Sequence, residues 1–421
     1  MSCRARFPAL LLSVLCMVGL TTFAAAKPEA DSVILFIGDG MGPGQVEMAA
    51  GATGEPLVMQ RFPYSGTVTT CNVSGRVTDS AAAGTALATG VKTNNGMIAV
   101  SPDGKKLETI LERCQKRGKS AGVITNDAIW GATPSSFAAH VGSRGEREQI
   151  ALQMVKSRAQ VMMGYWKEWL LPKSEGGKRE DNRDLISWLR NMGYGVVYTR
   201  DELLESKSLH LLGLFDDGPQ APRLADSVKA ALQRLGTNRR GFFLVVEHAR
   251  VDWKPGDPSG VTQDVLELDE AVAAAQHYAL GRGRTLVVVT ADHETGGCTI
   301  TNPGKLRLLG GVKESAEAIA GHLNADRSNL SRVMSQDTGV TDLTPAEVER
   351  ISSAKDPAEA IGGVLSDRAG VKWTSKGDHT ATPVRVFAFG PGAARFAGEL
   401  DNTQIPAKIA EALGVGPFPK K

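Results

Sequence analysis

Short apolar runs that stop abruptly at polar turns constrain this chain most. Ser32-Val-Ile-Leu-Phe-Ile37 ends in Gly38-Asp39-Gly40, and Thr285-Leu-Val-Val-Val289 runs straight into Thr290-Ala-Asp-His-Glu-Thr-Gly-Gly297. Runs rich in β-branched residues without polar alternation fit strands covered on both faces, the habit of parallel sheets. Segments 120–124, 195–198, 242–246 and 384–389 read the same way, while 106–117, 146–158, 222–235, 263–280 and 404–413 carry helix-forming composition. Strand and helix in alternation predict an α/β fold, a large central, mostly parallel sheet flanked by helices. Segment 300–372 has only marginal strand signals and reads as a large insertion before the last main-sheet strand, within a catalytic domain spanning 27–421.

Composition narrows the function classes. With 42% hydrophobic and 22% charged residues in 421, the chain is neither disordered nor collagenous nor multi-spanning. Arg4 and Arg6 precede an apolar run to Phe23, and Ala24-Ala-Ala26 offers a small-residue cleavage site, so residues 1–26 read as a secretory signal peptide. A periplasmic or secreted location follows, with no stable membrane anchor after cleavage. The whole chain has 48 basic and 46 acidic residues, and losing two arginines leaves 46 of each. A neutral chain without a basic arm has no electrostatic footprint for nucleic acid. Cys71, Cys114 and Cys298 remain, an odd number that excludes a disulfide scaffold.

Polar residues gather where strands end. In open α/β sheets ligands bind beyond the carboxyl ends of the strands, so Asp39, Glu247, Asp252, Asp292 and His293 are placed to converge. An adjacent carboxylate and imidazole after a Val-rich strand can enter one metal site from two directions, and such O/N donors suit zinc or another divalent cation. Val77-Thr-Asp-Ser-Ala-Ala-Ala-Gly84 supplies a nucleophile candidate. There Thr78, Asp79 or Ser80 can cap a helix, and a serine at a helix N-terminus can face a phosphate; capping alone explains the residues equally well. Arg144 can offer a two-pronged fork to phosphate oxygens or simply lie at the surface. Thr133, in Gly131-Ala-Thr-Pro134, can give a hydroxyl to a hard metal or merely close a turn. Of the seven histidines, His140, His210, His277 and His322 read as structural, and His248 is expected to point away from any site at its neighbour Glu247.

Taken together and in order, Ile37-Gly-Asp-Gly-Met-Gly42, Val77-Thr-Asp-Ser-Ala-Ala82, Ala132-Thr-Pro134, Val246-Glu247, Val251-Asp252, Ala291-Asp-His-Glu-Thr-Gly-Gly297 and Ser375-Lys-Gly-Asp-His-Thr380 resemble the alkaline phosphatase family. The resemblance implies an alkaline-phosphatase-like α/β sandwich, a secreted metal-dependent phosphomonoesterase acting on small phosphate monoesters, and frequently a homodimer. By that resemblance Ser80 is similar to the serine that becomes phosphoserine and Arg144 to the arginine that clamps phosphate. Asp39 would bridge zinc and magnesium, Thr133 and Glu247 would bind magnesium, and Asp292 with His293 the zinc that activates Ser80. Asp252 and His379 match two ligands of a second zinc.

The third ligand of that zinc departs from the family pattern. A histidine is expected four residues after Asp252, where Asp252-Trp-Lys-Pro-Gly-Asp257 places Gly256. Asp257 is the available replacement ligand; its bland reading is an exposed loop carboxylate. Gly131 is a second departure, since many relatives carry Asp or His there. Trp253 stands where others have lysine or histidine. A metal-dependent phosphodiesterase is the leading alternative, and a noncatalytic phosphate- or metal-binding protein the second.

Overall fold

The computed structural model describes residues 28–419, so segment 1–26, expected from the sequence to be a signal peptide, lies outside the described residues. Ten strands form the main sheet: β1 (Ser32–Gly38), β2 (Tyr64–Thr69), β3 (Ser120–Ala128), β4 (Val161–Tyr165), β5 (Gly195–Val197), β6 (Leu211–Phe215), β7 (Phe242–His248), β8 (Thr285–Ala291), and, later in the chain, β13 (Val384–Phe389) and β14 (Gly398–Asp401). Four two-residue strands lie between β8 and β13: β9 (Glu294–Thr295), β10 (Thr299–Ile300), β11 (Val371–Lys372) and β12 (His379–Thr380).

The sheet runs β14-β2-β13-β8-β1-β7-β3-β4-β6-β5. β13 pairs antiparallel with both neighbours, and every other pairing is parallel. The long apolar runs therefore occupy the centre. β1 lies between β8 and β7, and all seven residues of each are buried. Each fully buried Val, Leu, Ile or Phe there contributes about 1.5–3 kcal/mol against exposure, which fixes these strands as the rigid base of the molecule. The strands not legible as runs, β2, β4, β6 and β14, lie toward the two sides of the sheet. Gly66, Met162, Gly164 and Gly213 break their β-branched character.

Helix starts are set by local chemistry. The 106–117 segment becomes helical only from Ile110, because Thr109 and Glu112 form a reciprocal capping box. The 263–280 segment extends to Pro258–Arg282, started by Asp257 at the N-cap and Pro258 in the first turn. Segment 300–372 is closed at its base by the antiparallel pair β10–β11, with Ile300 opposite Val371. Within it, helices Ala316–Gly321, Leu330–Thr338, Pro345–Ser353 and Pro357–Ala369 bury Ile319, Met334, Ile351 and Ile361 in continuity with the central core. Cys71, Cys114 and Cys298 are all free thiols. Among the described residues, no helix is long and apolar enough to cross a membrane.

Candidate metal centre and nucleophile

Parallel register delivers the site. Ile37 of β1 lies beside Glu247 of β7 and Thr290 of β8, and Glu247 lies beside Thr125 of β3. The residues that follow, Asp39 after β1 and Asp292-His293 after β8, therefore emerge side by side at one sheet edge. Gly40, at φ +74°, lets the chain turn there; a Cβ would sit 2.9 Å from the Asp252 Cα. Its amide donates to Asp292 Oδ1 at 3.2 Å, as does the His293 amide at 2.8 Å.

Ser80 is brought to this edge by the helix Ser80–Thr89, buried throughout and built mainly of alanine. Of the three capping candidates, Asp79 is the N-cap, accepting from the Ala82 amide at 3.0 Å. Ser80 is thereby left as the first helical residue, its Oγ 3.3 Å from His293 Nε2. The same Nε2 lies 3.3 Å from Asp39 Oδ1 and 3.3 Å from Asp292 Oδ2. Neither carboxylate oxygen makes a hydrogen bond, although both are buried, and Thr133 Oγ1 is buried and equally unpartnered. Leaving a buried polar atom unpaired costs about 1–3 kcal/mol, more when it is charged. Oxygens facing an imidazole nitrogen at 3.3 Å without hydrogen bonds are what a divalent cation's donor set looks like when drawn around a common centre. Asp39, Asp292 and His293 offer donor atoms within 4.8 Å of one another, as do Asp252, His293 and His379.

A two-residue ladder assembles the second group. β12 pairs antiparallel with β9, setting His379 opposite Thr295 and stacking its ring on His293 at 3.5 Å. His379 Nδ1 is 3.0 Å from the Thr78 carbonyl, and Nε2 is 3.5 Å from Asp252 Oδ1. Thr295 donates to the same Asp252 oxygen. Burial works against the charge on Asp252, but the His379 hydrogen bond, the charges of His293 and His379 and the Thr295 hydrogen bond together outweigh it and lower the carboxyl pKa; burial likewise opposes the charge on His379, which Asp252, the Thr78 carbonyl and the charge of Asp292 together raise to about 8.

The electrostatics of the first group carry the opposite sign. Asp39 is raised well above the usual carboxylate range by burial, then by the charges of Asp292, Asp252 and Glu247. Glu247 is pushed up to about 8 by burial and by the charge of Asp127. Thr125 donates to it, and the Thr133 hydroxyl tempers it at close range without a well-formed hydrogen bond. Burial lowers His293, against the charge of Asp292. A site that holds carboxyls protonated and imidazole neutral lacks positive charge, and bound cations would supply it.

Arg144 is half-exposed, with Nη1 3.3 Å from Asp79 Oδ2. That oxygen also accepts from the Gly96 amide at 2.9 Å, and the Arg144 amide donates to the Gly96 carbonyl at 2.6 Å. The guanidinium is thus tethered one residue before Ser80. Asp257 goes elsewhere: Oδ1 accepts from the Ser259 and Gly260 amides, and Oδ2 from the Ala316 amide at 2.8 Å. Starting the long helix uses the carboxylate that the sequence offered as replacement ligand. Gly256 has φ +92°, a conformation that side-chain-bearing residues rarely adopt, with open space beyond its Cα. Trp253 lies half-exposed against Trp166, rings stacked at 6.3 Å, with Arg250 over it. A cleft of about 810 Å³ opens beside this loop, lined by Gly256, Arg350, Glu359 and Trp373 but by none of Ser80, Asp39, Asp292 or His293.

A third donor group, His248, Asp264 and Glu267, begins at the residue after Glu247 and continues into the helix Pro258–Arg282. His248 Nε2 is 3.2 Å from Glu267, and Lys254 pairs with Asp264 at 2.8 Å, so one carboxylate of this group already has an ammonium as partner. Thr125, Asp127, Thr295 and the Asp79 tether to Arg144 escaped sequence reasoning. Thr295 and Asp79 lay inside motifs read from the sequence, but their contacts were not legible there.

The comparisons agree with this geometry. The family model described as alkaline phosphatase matches residues 30–415. Alkaline phosphatase 4 of Bacillus subtilis (strain 168) is 33% identical, over 93% of this chain and 90% of that protein. The crystal structure of a cold-active alkaline phosphatase from a Shewanella species superposes with a TM-score of 0.80 at 31% identity, covering 91% of this chain and 99% of the other. That of Thermus thermophilus alkaline phosphatase gives 0.81 at 30%, covering 96% and 97%. A serine at a helix N-terminus, a tethered arginine and two cation-shaped donor groups thus accompany a match along the described length: the chain belongs to the alkaline phosphatase family and is an enzyme of that family, a phosphoric monoester hydrolase.

Proposed function

We propose that this chain hydrolyses phosphate monoesters through a covalent phosphoserine at Ser80, in the periplasm or outside the cell. The observation that carries the reading is the convergence of Ser80 Oγ, Asp39 Oδ1 and Asp292 Oδ2 on His293 Nε2, each at 3.3 Å, with both carboxylate oxygens lacking a hydrogen-bond partner. The residues fit the cations of the family: the imidazole-containing groups suit zinc, and the oxygen-only set of Thr133, Glu247 and Asp39 suits magnesium. Bound there, the cations supply Lewis acidity that favours the Ser80 alkoxide and neutralises charge growing on the phosphoryl and leaving oxygens.

The protein's own share is positioning. The Ser80 hydroxyl stands at a helix N-terminus whose amides favour an anion. Arg144 presents a planar fork to two non-bridging oxygens of the same phosphoryl group, held in reach by Asp79. Asp39 would belong to both the imidazole-containing and the oxygen-only sets. Asp252 and His379 would hold the cation on the leaving-group side, and Asp257, engaged by the Ser259, Gly260 and Ala316 amides, would add nothing to it.

The test is turnover of a phosphomonoester against a phosphodiester by phosphate-free enzyme reloaded with zinc and magnesium. Ser80→Ala should abolish acid-trapped phosphoenzyme and monoester turnover while keeping its metal content. A Ser80→Ala enzyme that still forms phosphoenzyme, or a parent that prefers the diester, would overturn the reading.

A further inference from the structure

Gly131, two residues before Thr133, brings no side chain to the oxygen-only group, and the Asp127 carboxylate lies against it. Thr133 sits in the short helical turn after Gly131 with its Oγ1 buried and unpartnered. A Cβ placed on Gly131 would lie 2.8 Å from Asp127 Oδ2 and 3.6 Å from Asp127 Cγ, so the Asp127 carboxylate already occupies the space where a side chain at 131 would begin. Asp127 is fixed there by its own strand. The β3–β4 register shifts between Ile124 and Ala128, the Asp127 amide donates to Thr125 Oγ1 at 2.9 Å, and Thr125 in turn donates to Glu247. One hydroxyl thus ties the Asp127 backbone to the Glu247 carboxylate. From this geometry we infer that Asp127 is a ligand of the third cation site, shared with Thr133 and Glu247, and stands in for the side chain that Gly131 lacks.

The electrostatics are of the kind such a role requires. Arg144, Arg250 and Arg147 act on Asp127 only at a distance; among the described residues none forms an ion pair with it. A partly buried carboxylate without a cationic partner is the kind of oxygen donor a hard divalent cation takes. Four oxygen donors from Asp39, Thr133, Glu247 and Asp127 favour magnesium over zinc.

The inference rests on the proposed third cation site, and the test separates the two. Full-length enzyme is stripped with chelator, reloaded with zinc and titrated with magnesium chloride, reading affinity by calorimetry, bound magnesium by elemental analysis and the melting temperature. Asp127→Asn should bind magnesium at least tenfold more weakly and lose the magnesium-induced rise in melting temperature. Stripped of metal, it should melt at or above the parent, because a repelling charge is gone. Asp127→Glu should keep most of the magnesium response, and Asp127→Ser serves as a second charge-removing variant if Asp127→Asn folds poorly. Normal magnesium binding in Asp127→Asn alongside its loss in Glu247→Gln overturns the role of Asp127 and leaves the site standing. Normal binding in both overturns the site as well. A stripped Asp127→Asn that melts well below the parent with an unchanged magnesium increment assigns the residue to the turn and refutes the inference.

Discussion

Stripping the metals should expose a pH dependence of stability at the site that the loaded enzyme lacks. Glu247 has a folded-state pKa of about 8 against an ordinary 4.5, so the folded protein holds a proton there that the unfolded chain releases at lower pH. For a raised acid the sign is fixed: the stability this proton confers is complete below pH 4.5 and is lost as pH rises through 8. A shift of that size corresponds to about 5 kcal/mol, and for a chain of this length about 6 °C in melting temperature. Asp39, raised by the same burial and by the same neighbouring carboxylates, adds in the same direction. In the loaded enzyme cations take the place of these protons, so the loss should vanish. The assay is thermal unfolding of chelated and reloaded enzyme from pH 5 to 9, with Glu247→Gln as control. The chelated parent should fall by several degrees across the window, the reloaded parent should stay nearly level, and chelated Glu247→Gln should lose most of the slope. A chelated parent whose melting temperature holds or rises between pH 5 and 8 would refute the reasoning.

Two further outcomes follow from named contacts. Replacing Arg144 by alanine should lower kcat/KM by about ten- to a thousandfold through lost transition-state binding, with phosphate inhibition weakened in parallel, and Arg144→Lys should recover little because an ammonium cannot offer the fork; a kcat/KM within twofold of the parent would exclude the clamp. Gly256→His should fail to tighten zinc, since φ +92° disfavours any side chain there even though the space is open; a tenfold gain in zinc affinity, measured by competition with a chromogenic chelator, would show that the loop can refold around a third ligand.

How much of this was legible beforehand differs residue by residue. Ser32–Gly38 and Thr285–Ala291 announced themselves because a strand covered on both faces must be apolar throughout, and the polar residues after them mark its end. Strands such as Val161–Tyr165 and Leu211–Phe215 did not, because Met and Gly within them carry no strand signature and only pairing with neighbours makes them strands. Asp39, Ser80, Asp292 and His293 were nameable from motifs, since each sits at a local turn or helix start that its own neighbours specify.

What the sequence determined by itself was the class of the sheet, the polar residues at its edge and the family resemblance, because strand burial and turn chemistry are written in consecutive residues. Which donors share a space was decided only by tertiary structure. Parallel register sets Glu247 beside Thr125, and a two-residue ladder stacks His379 on His293 across 86 positions of chain. Asp257 and Asp127 show the reason most plainly. Both are carboxylates near a glycine where a ligand was missing, and one is spent on starting a helix while the other is held against the gap. The difference lies in the direction each backbone turns, which long-range packing fixes and short-range sequence does not.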